Sequence, residues 1–212
     1  MAKRGIIFDL DGTLWDVTDA ATYTANEITK KYGLPAIDVN TVKSAFGQPR
    51  EGSARIYFPY FPLQKSLPLI DEIIALSAVN ILKTGGNLYP DLIETLMLLN
   101  KGYDLFIVSN SPQNEYVKAF IDLSKTDKLF KNYYAAGAYG LTKAQAIKKA
   151  AEDNGLSRAV YIGDTDTDFQ SAIEAGIKFI YANYGFGEVK DAEYVIGSLK
   201  ELPKVLPRVF YK

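Results

Sequence analysis

The sequence predicts an α/β protein: a parallel sheet with helices between its strands, interrupted early by an all-helical insertion. Three observations predict it. Short apolar runs at Ile6–Phe8, Tyr103–Val108, Ala159–Ile162 and Lys178–Ala182 alternate with stretches of helical spacing. Three of those runs pass at once into polar residues, at Asp9/Asp11, Ser109/Asn110 and Asp164/Asp168. Residues 17–84 carry helical patterns and no convincing strand. A chain of 212 residues accommodates one large domain, or one domain with a smaller insert. The division read here is 1–16 with 85–212 as the α/β core, and 17–84 as the insert.

The elements follow in order. Ile6 to Phe8 is the length of a buried strand, β-branched at two positions, and Gly12 beyond it is turn chemistry. Trp15 to Asp19 is rich in N-capping residues, and a helix runs from Ala20 to Tyr32, stopped by Gly33 with Pro35 beyond. Asp38 or Asn40 caps a second helix reaching Phe46. A short third helix covers Gly52 to Phe58. Pro59, Pro62 and Pro68 punctuate a connection, and a fourth helix spans Leu69 to Leu82, ended by Gly85-Gly86. A helix from Tyr89-Pro90-Asp91 to Asn100 leads into the second strand at Tyr103–Val108, then a helix from Gln113 to Leu123. Tyr133 to Ala136 is a weaker strand. Thr142 to Asn154 is a helix with a Thr142/Gln145 capping box. Ala159–Ile162 is a strand, Phe169–Ala175 a helix, Lys178–Ala182 a strand, Tyr194–Ile196 a short one, and Leu199–Leu206 a last helix. Alternation of this kind calls for right-handed crossovers.

Composition excludes several chemistries. Hydrophobic residues are 48% and charged residues 23%, ordinary for a globular protein with a sizeable core. Net charge is −1, so there is no electrostatic case for nucleic acid or membrane as partner. There is no cysteine, hence no disulfide or thiolate metal site, and no histidine, hence no histidine base or HExxH zinc site. Any acid–base catalyst is a carboxylate, lysine or tyrosine. The basic start Met1-Ala2-Lys3-Arg4 precedes an apolar run too short for a signal-peptide core, so the expected location is cytoplasmic.

In open parallel sheets, chemistry gathers beyond the carboxyl ends of the strands. Two aspartates at the end of a buried strand are costly unless a cation compensates them. Charge coupling also pushes their proton affinities apart, which suits one as nucleophile and one as proton donor. Adding Asp164 and Asp168 makes four carboxylates, and oxygen-only ligands favour Mg²⁺. Mg²⁺ shares ligands with phosphate, so a small phosphorylated metabolite is the expected partner. Ser109, at a strand-to-helix turn, is placed to donate to a phosphate oxygen. Lys143 stands in the first turn of a helix, where its charge opposes the macrodipole at roughly 0.3–1 kcal/mol. A site rich in aspartates and phosphate gives that cation a role, whereas Lys148 and Lys149 read as an exposed face.

Together these stretches resemble the haloacid dehalogenase (HAD) superfamily. The residues that carry the resemblance are Asp9-Leu10-Asp11-Gly12-Thr13, the strand ending in Ser109-Asn110, Lys143, and Gly163-Asp164-Thr165 with Asp168. The resemblance implies a Rossmann-like core with an inserted helical cap, as in phosphoglycolate phosphatase-like and β-phosphoglucomutase-like members. It implies that Asp9 is the nucleophile, forming an aspartyl-phosphate, and Asp11 the acid and then the base. Asp9, the Asp11 main-chain carbonyl and Asp164 would hold Mg²⁺, with Asp168 in support. Ser109, Asn110 and Lys143 would hold the transferring phosphoryl group. Relatives usually carry proline after this lysine, whereas here Ala144-Gln145-Ala146 follows. Asp166 reads as helix N-terminal stabilisation, and Trp15 as a substrate contact or a buried hinge aromatic. Arg50 reads as a cap residue that contacts substrate, since a guanidinium suits a carboxylate or a second phosphate.

The expected activity is therefore Mg²⁺-dependent hydrolysis of a small phosphomonoester. A sugar-phosphate mutase shares every core residue and differs in what the cap admits. A phospho-accepting signalling receiver also gathers acids, Ser/Thr and Lys at strand ends, but is about half this length and lacks the insertion.

Overall fold

The computed structural model describes residues 3–111 and 113–211. Met1 and Ala2 of the basic N-terminal run lie outside the described residues. The chain divides into two compact units, Met1–Asp16 with Leu88–Lys212, and Val17–Asn87.

The first unit is an α/β sandwich around a six-stranded parallel sheet. Its strands are β1 (Arg4–Phe8), β4 (Asp104–Ser109), β5 (Phe130–Ala135), β6 (Arg158–Gly163), β7 (Lys178–Ala182) and β8 (Val195–Ile196), in the order β5-β4-β1-β6-β7-β8. The intervening helices are α5 (Leu92–Leu99), α6 (Asn114–Ser124), α7 (Lys143–Asp153), α8 (Asp166–Glu174) and α9 (Leu202–Tyr211). β1 is central, paired in parallel with β4 on one side and β6 on the other; Phe8 is level with both Ile107 and Ile162. A strand covered on both faces must be apolar throughout, and Ile6, Ile7 and Phe8 are fully buried. Ile7, Phe106, Val108, Tyr161, Ala146 and Ile147 share one core cluster. Two short strands, β2 (Trp15–Asp16) and β3 (Asn87–Leu88), form a separate pair.

The second unit is all helical: α1 (Thr18–Lys31), α2 (Val39–Ala45), α3 (Arg50–Tyr57) and α4 (Leu63–Thr84). Its core gathers Ala25, Ile28, Val42, Ala54, Phe58, Ile70 and Ile73. Asp38 caps α2, accepting from the N–H groups of Asn40 and Thr41. Arg50, at the start of α3, forks onto Asp71 of α4, its Nε and Nη2 each donating to one carboxylate oxygen at 2.5 Å. Among the described residues, no helix is long and apolar enough to cross a membrane.

Several bounds differ from the sequence expectation: β5 starts at Phe130 rather than Tyr133 and α9 runs Leu202–Tyr211 rather than Leu199–Leu206, and three further differences carry a physical reason. α4 begins at Leu63 and passes through Pro68, rather than starting beyond it. Pro68 sits in the second turn, where the ring removes one i→i−4 bond. Buried Ser66, Ile70 and Ile73 on either side hold the segment helical. α1 starts at Thr18, two residues earlier than read, behind Val17, which offers no side-chain cap. α8 starts at Asp166, three residues early, because Thr165 and Asp168 form a capping box. The Thr142/Gln145 box at the head of α7 is present as read.

Candidate active site

Three adjacent strands deliver the site. Since Phe8 is level with Ile107 and Ile162, the turns after β1, β4 and β6 leave the sheet side by side, with Asp9 between Ser109 and Asp164. The Asp9 N–H continues the ladder, donating to the Ile162 carbonyl at 2.8 Å.

Lys143 is the hub. It opens α7, is buried, and its Nζ donates to Asp9 Oδ1 at 3.0 Å and Asp168 Oδ1 at 2.5 Å. Burial works to lower its proton affinity, but the charges of Asp168 and Asp9 outweigh that and raise it. The lysine is therefore a fixed cation at a helix start, compensated by two acids. Lys148 and Lys149 are exposed and pair along the helix with Glu152 and Asp153.

Asp168 is saturated with donors. Oδ1 receives Lys143 and the Tyr161 hydroxyl (3.2 Å); Oδ2 receives Thr165 Oγ1 (2.6 Å) and the N–H groups of Thr165 and Asp164. Asp164 is gripped differently: Thr13 Oγ1 donates to Oδ1 at 3.2 Å, and the Phe186 N–H to Oδ2 at 2.8 Å. Gly12, at φ +83°, lies against this carboxylate so closely that a Cβ would collide with it. Asp166 is exposed at the first turn of α8, away from this network of buried acids.

Asp9, Asp164 and Asp168 each turn a carboxylate oxygen within 4.8 Å of the others, a buried group that could hold a metal ion. Burial, then the neighbouring acids led by Asp168, push Asp9 well above the ordinary value of 3.8, against the pull of Lys143. Burial, then Asp168, push Asp164 up to about 7. A divalent cation would reverse both, holding them as carboxylates. The donors are all oxygen, so the residues fit Mg²⁺.

Asp11 stands apart from that group. Its Oδ1 accepts from Trp15 Nε1 at 2.7 Å and from the Tyr116 hydroxyl at 2.8 Å. Burial pushes its carboxyl up to about 6, against those two hydrogen bonds and Lys143. Trp15 is fully buried and serves this contact. Ser109 is buried at the end of β4, its Oγ accepting from the Ser111 N–H at 3.2 Å. That leaves the hydroxyl hydrogen to donate elsewhere. Asn110 is exposed. Arg50 lies in the helical unit, on Asp71.

Two contributors were not visible in the sequence. Tyr116 is a lone tyrosine in an amphipathic helix, a pattern that reads as packing. The Phe186 N–H belongs to the backbone and has no residue-type signature; the faint signal is the glycine pair 185 and 187 flanking it.

Residues 6–182 match the model of the haloacid dehalogenase-like hydrolases. The chain belongs to that family. It is an enzyme of the hydrolase class, and the sequence reading of its fold, a parallel α/β core with an inserted helical unit, holds. Among curated relatives, the phosphoglycolate phosphatase of Rhodobacter capsulatus is 27% identical over 186 residues, covering 85% of this chain and 84% of that protein. The phosphoglycolate phosphatase of Vibrio parahaemolyticus is 25% identical over 221 residues, covering 95% of each. A solved structure of a haloacid dehalogenase-like hydrolase from Streptococcus pneumoniae superposes with a TM-score of 0.83 at 24% identity, over 97% of this chain and 98% of that one. This likeness concerns the fold.

Proposed function

We propose that this hydrolase is a Mg²⁺-dependent phosphatase acting on a small phosphomonoester through an aspartyl-phosphate on Asp9. The observation that supports it best is the division of labour between two acids two residues apart. Asp9 faces Lys143 within the group of acids that fits a cation, while Asp11 sits outside it on neutral donors, with its proton affinity raised to about 6. That is the separation a nucleophile and an acid–base partner need.

In this reading an Asp9 carboxylate oxygen attacks phosphorus as the ester P–O bond breaks, and Asp11 gives its proton to the leaving oxygen. Asp11, now a carboxylate, takes a proton from the water that attacks the aspartyl-phosphate. Free phosphate leaves and both acids are restored. Ser109 and Lys143 hold the phosphoryl oxygens, an electrostatic role. Asp9, Asp164 and the Asp11 main-chain carbonyl would hold Mg²⁺, with Asp168 anchoring Lys143 beside them. Bound there, Mg²⁺ would offset the charge of acids and phosphate together. The helical unit is the cap, and Arg50 its contact with the substrate. The names of the curated relatives make 2-phosphoglycolate the first compound to try, for an enzyme expected in the cytoplasm.

The test is phosphate release over a panel of phosphomonoesters with Mg²⁺, beginning with 2-phosphoglycolate, for the wild type and Asp9→Asn. We expect turnover by the wild type and none by the variant, which keeps its fold. Substantial phosphate release by pure Asp9→Asn protein would refute the nucleophile.

A further inference from the structure

The two hydrogen bonds to Asp11 fall on one oxygen. Trp15 Nε1 and the Tyr116 hydroxyl both reach Oδ1, at 2.7 and 2.8 Å, and among the described residues no donor reaches Oδ2. An indole N–H donates only, and a carbonyl oxygen accepts far better than the hydroxyl oxygen of an acid, so the oxygen that takes both donors is the carbonyl one. When Asp11 is a neutral acid, its hydrogen therefore resides on Oδ2.

The donors are themselves fixed. Trp15 is fully buried, and its ring meets Tyr116 edge-on at 5.8 Å and Phe120 at 5.3 Å. The Trp15 carbonyl accepts from the Gly12 N–H at 2.9 Å, which ties the indole to the turn that carries Asp11. Tyr116 comes from the first turn of α6, 105 residues away in the chain.

We infer that Trp15 and Tyr116 are positioning residues that hold the Asp11 carboxyl in one orientation and assign Oδ2 as the atom that gives up and later recovers the proton. An aspartate carboxyl rotates between two nearly equivalent settings about its last bond. Pinning Oδ1 from two sides removes that freedom and keeps the proton aimed one way. The inference rests on the phosphatase reading above, in which Asp11 protonates the leaving oxygen.

A misaimed proton matters only when the leaving group needs one. An alkyl phosphomonoester such as 2-phosphoglycolate must leave as an alcohol, whereas p-nitrophenyl phosphate releases a stable phenolate unaided. The experiment measures first-turnover rates for both esters, by rapid quench and by the p-nitrophenolate burst. It uses wild type, Tyr116→Phe and Trp15→Phe, each at saturating Mg²⁺. Tyr116→Phe removes one hydroxyl and keeps the ring, and Trp15→Phe keeps a buried aromatic. We expect each to lower the alkyl rate at least ten-fold more than the aryl rate. Equal losses on the two esters, or no loss on either, would overturn the inference while leaving the phosphatase reading intact. The alkyl ester is the best substrate of the panel above; a wild type that releases phosphate from no ester of that panel would overturn the reading itself, and this inference with it.

Discussion

The Lys143 ammonium lies 3.0 Å from the Asp9 carboxylate, although 134 residues separate them in the chain. Removing the cation as Lys143→Met leaves Asp9 and Asp168 buried together without compensation. Breaking a buried pair in this way costs about 3–5 kcal/mol. We expect a melting temperature lower by roughly 10 °C and turnover lower by at least about 100-fold, through loss of the phosphoryl grip. Lys148→Ala removes an exposed pair worth about 0.3–0.5 kcal/mol, so its melt should match wild type. Similar losses from both variants would make Lys143 an ordinary lysine.

Stability should depend on pH in an unusual direction once metal is chelated. Asp164 is pushed up to about 7 and Asp11 to about 6, mainly by burial, and Asp9 is raised too, against an ordinary value of 3.8. Between those limits the folded chain binds more protons than the unfolded one, so stability falls as pH rises. The Asp164 and Asp11 contributions are complete below about pH 4 and gone above about 7. Carboxyls held low, such as Asp38 and Asp71, oppose this only near and below 3.8. We expect the metal-free protein to melt about 5 °C higher at pH 5 than at pH 8. Mg²⁺ should restore the loss at pH 8, and Asp164→Asn should flatten the profile. A melt that instead rises with pH would contradict the burial of these acids.

Gly12→Ala meets two penalties at once. The φ of +83° costs an L-residue roughly 1–2 kcal/mol, and the new methyl would strike the Asp164 carboxylate and the Phe186 ring. We expect Mg²⁺ affinity, read by calorimetry, to fall at least ten-fold. Gly33 is the control: it shares a positive φ, +64°, but has open space around it. Gly33→Ala should lower stability alone. Equal metal affinity in both variants would remove Gly12 from the site.

Arg50 is tested by substrate rather than by stability. Its fork on Asp71 is exposed, where solvent screens the pair. Arg50→Ala should barely move the melt. If Arg50 contacts substrate, KM for 2-phosphoglycolate rises several-fold and kcat is kept. An unchanged KM would reduce Arg50 to a strut between α3 and α4.

What the sequence revealed follows from where punctuation falls. Asp9, Asp11, Asp164 and Asp168 stand where apolar runs break into glycine and acid, and that contrast survives any uncertainty about packing. Lys143 was legible for the opposite reason: a cation at a helix start is out of place unless something compensates it. Pro68 misled because the rule against proline weighs one lost hydrogen bond, whereas buried side chains on both sides of the ring decide the helix. Tyr116 and the Phe186 N–H were hidden because their significance lies in a meeting between distant segments. A tyrosine among apolar neighbours looks the same whether its hydroxyl finds an acid or water.

The central place of β1 also bears on how the chain reaches its native state. β1 is synthesised first, yet both strands that flank it, β4 and β6, arrive roughly 100 and roughly 150 residues later. The helical unit lies between and can condense from local contacts while Ile6, Ile7 and Phe8 still await partners. The sheet is thus assembled late and around the earliest of its strands, and the segment most exposed to misassociation on the ribosome is the one that carries Asp9, the proposed nucleophile. Slow refolding, with helical signal preceding protection of the Ile7 amide from hydrogen exchange, is the kinetic signature this topology should leave.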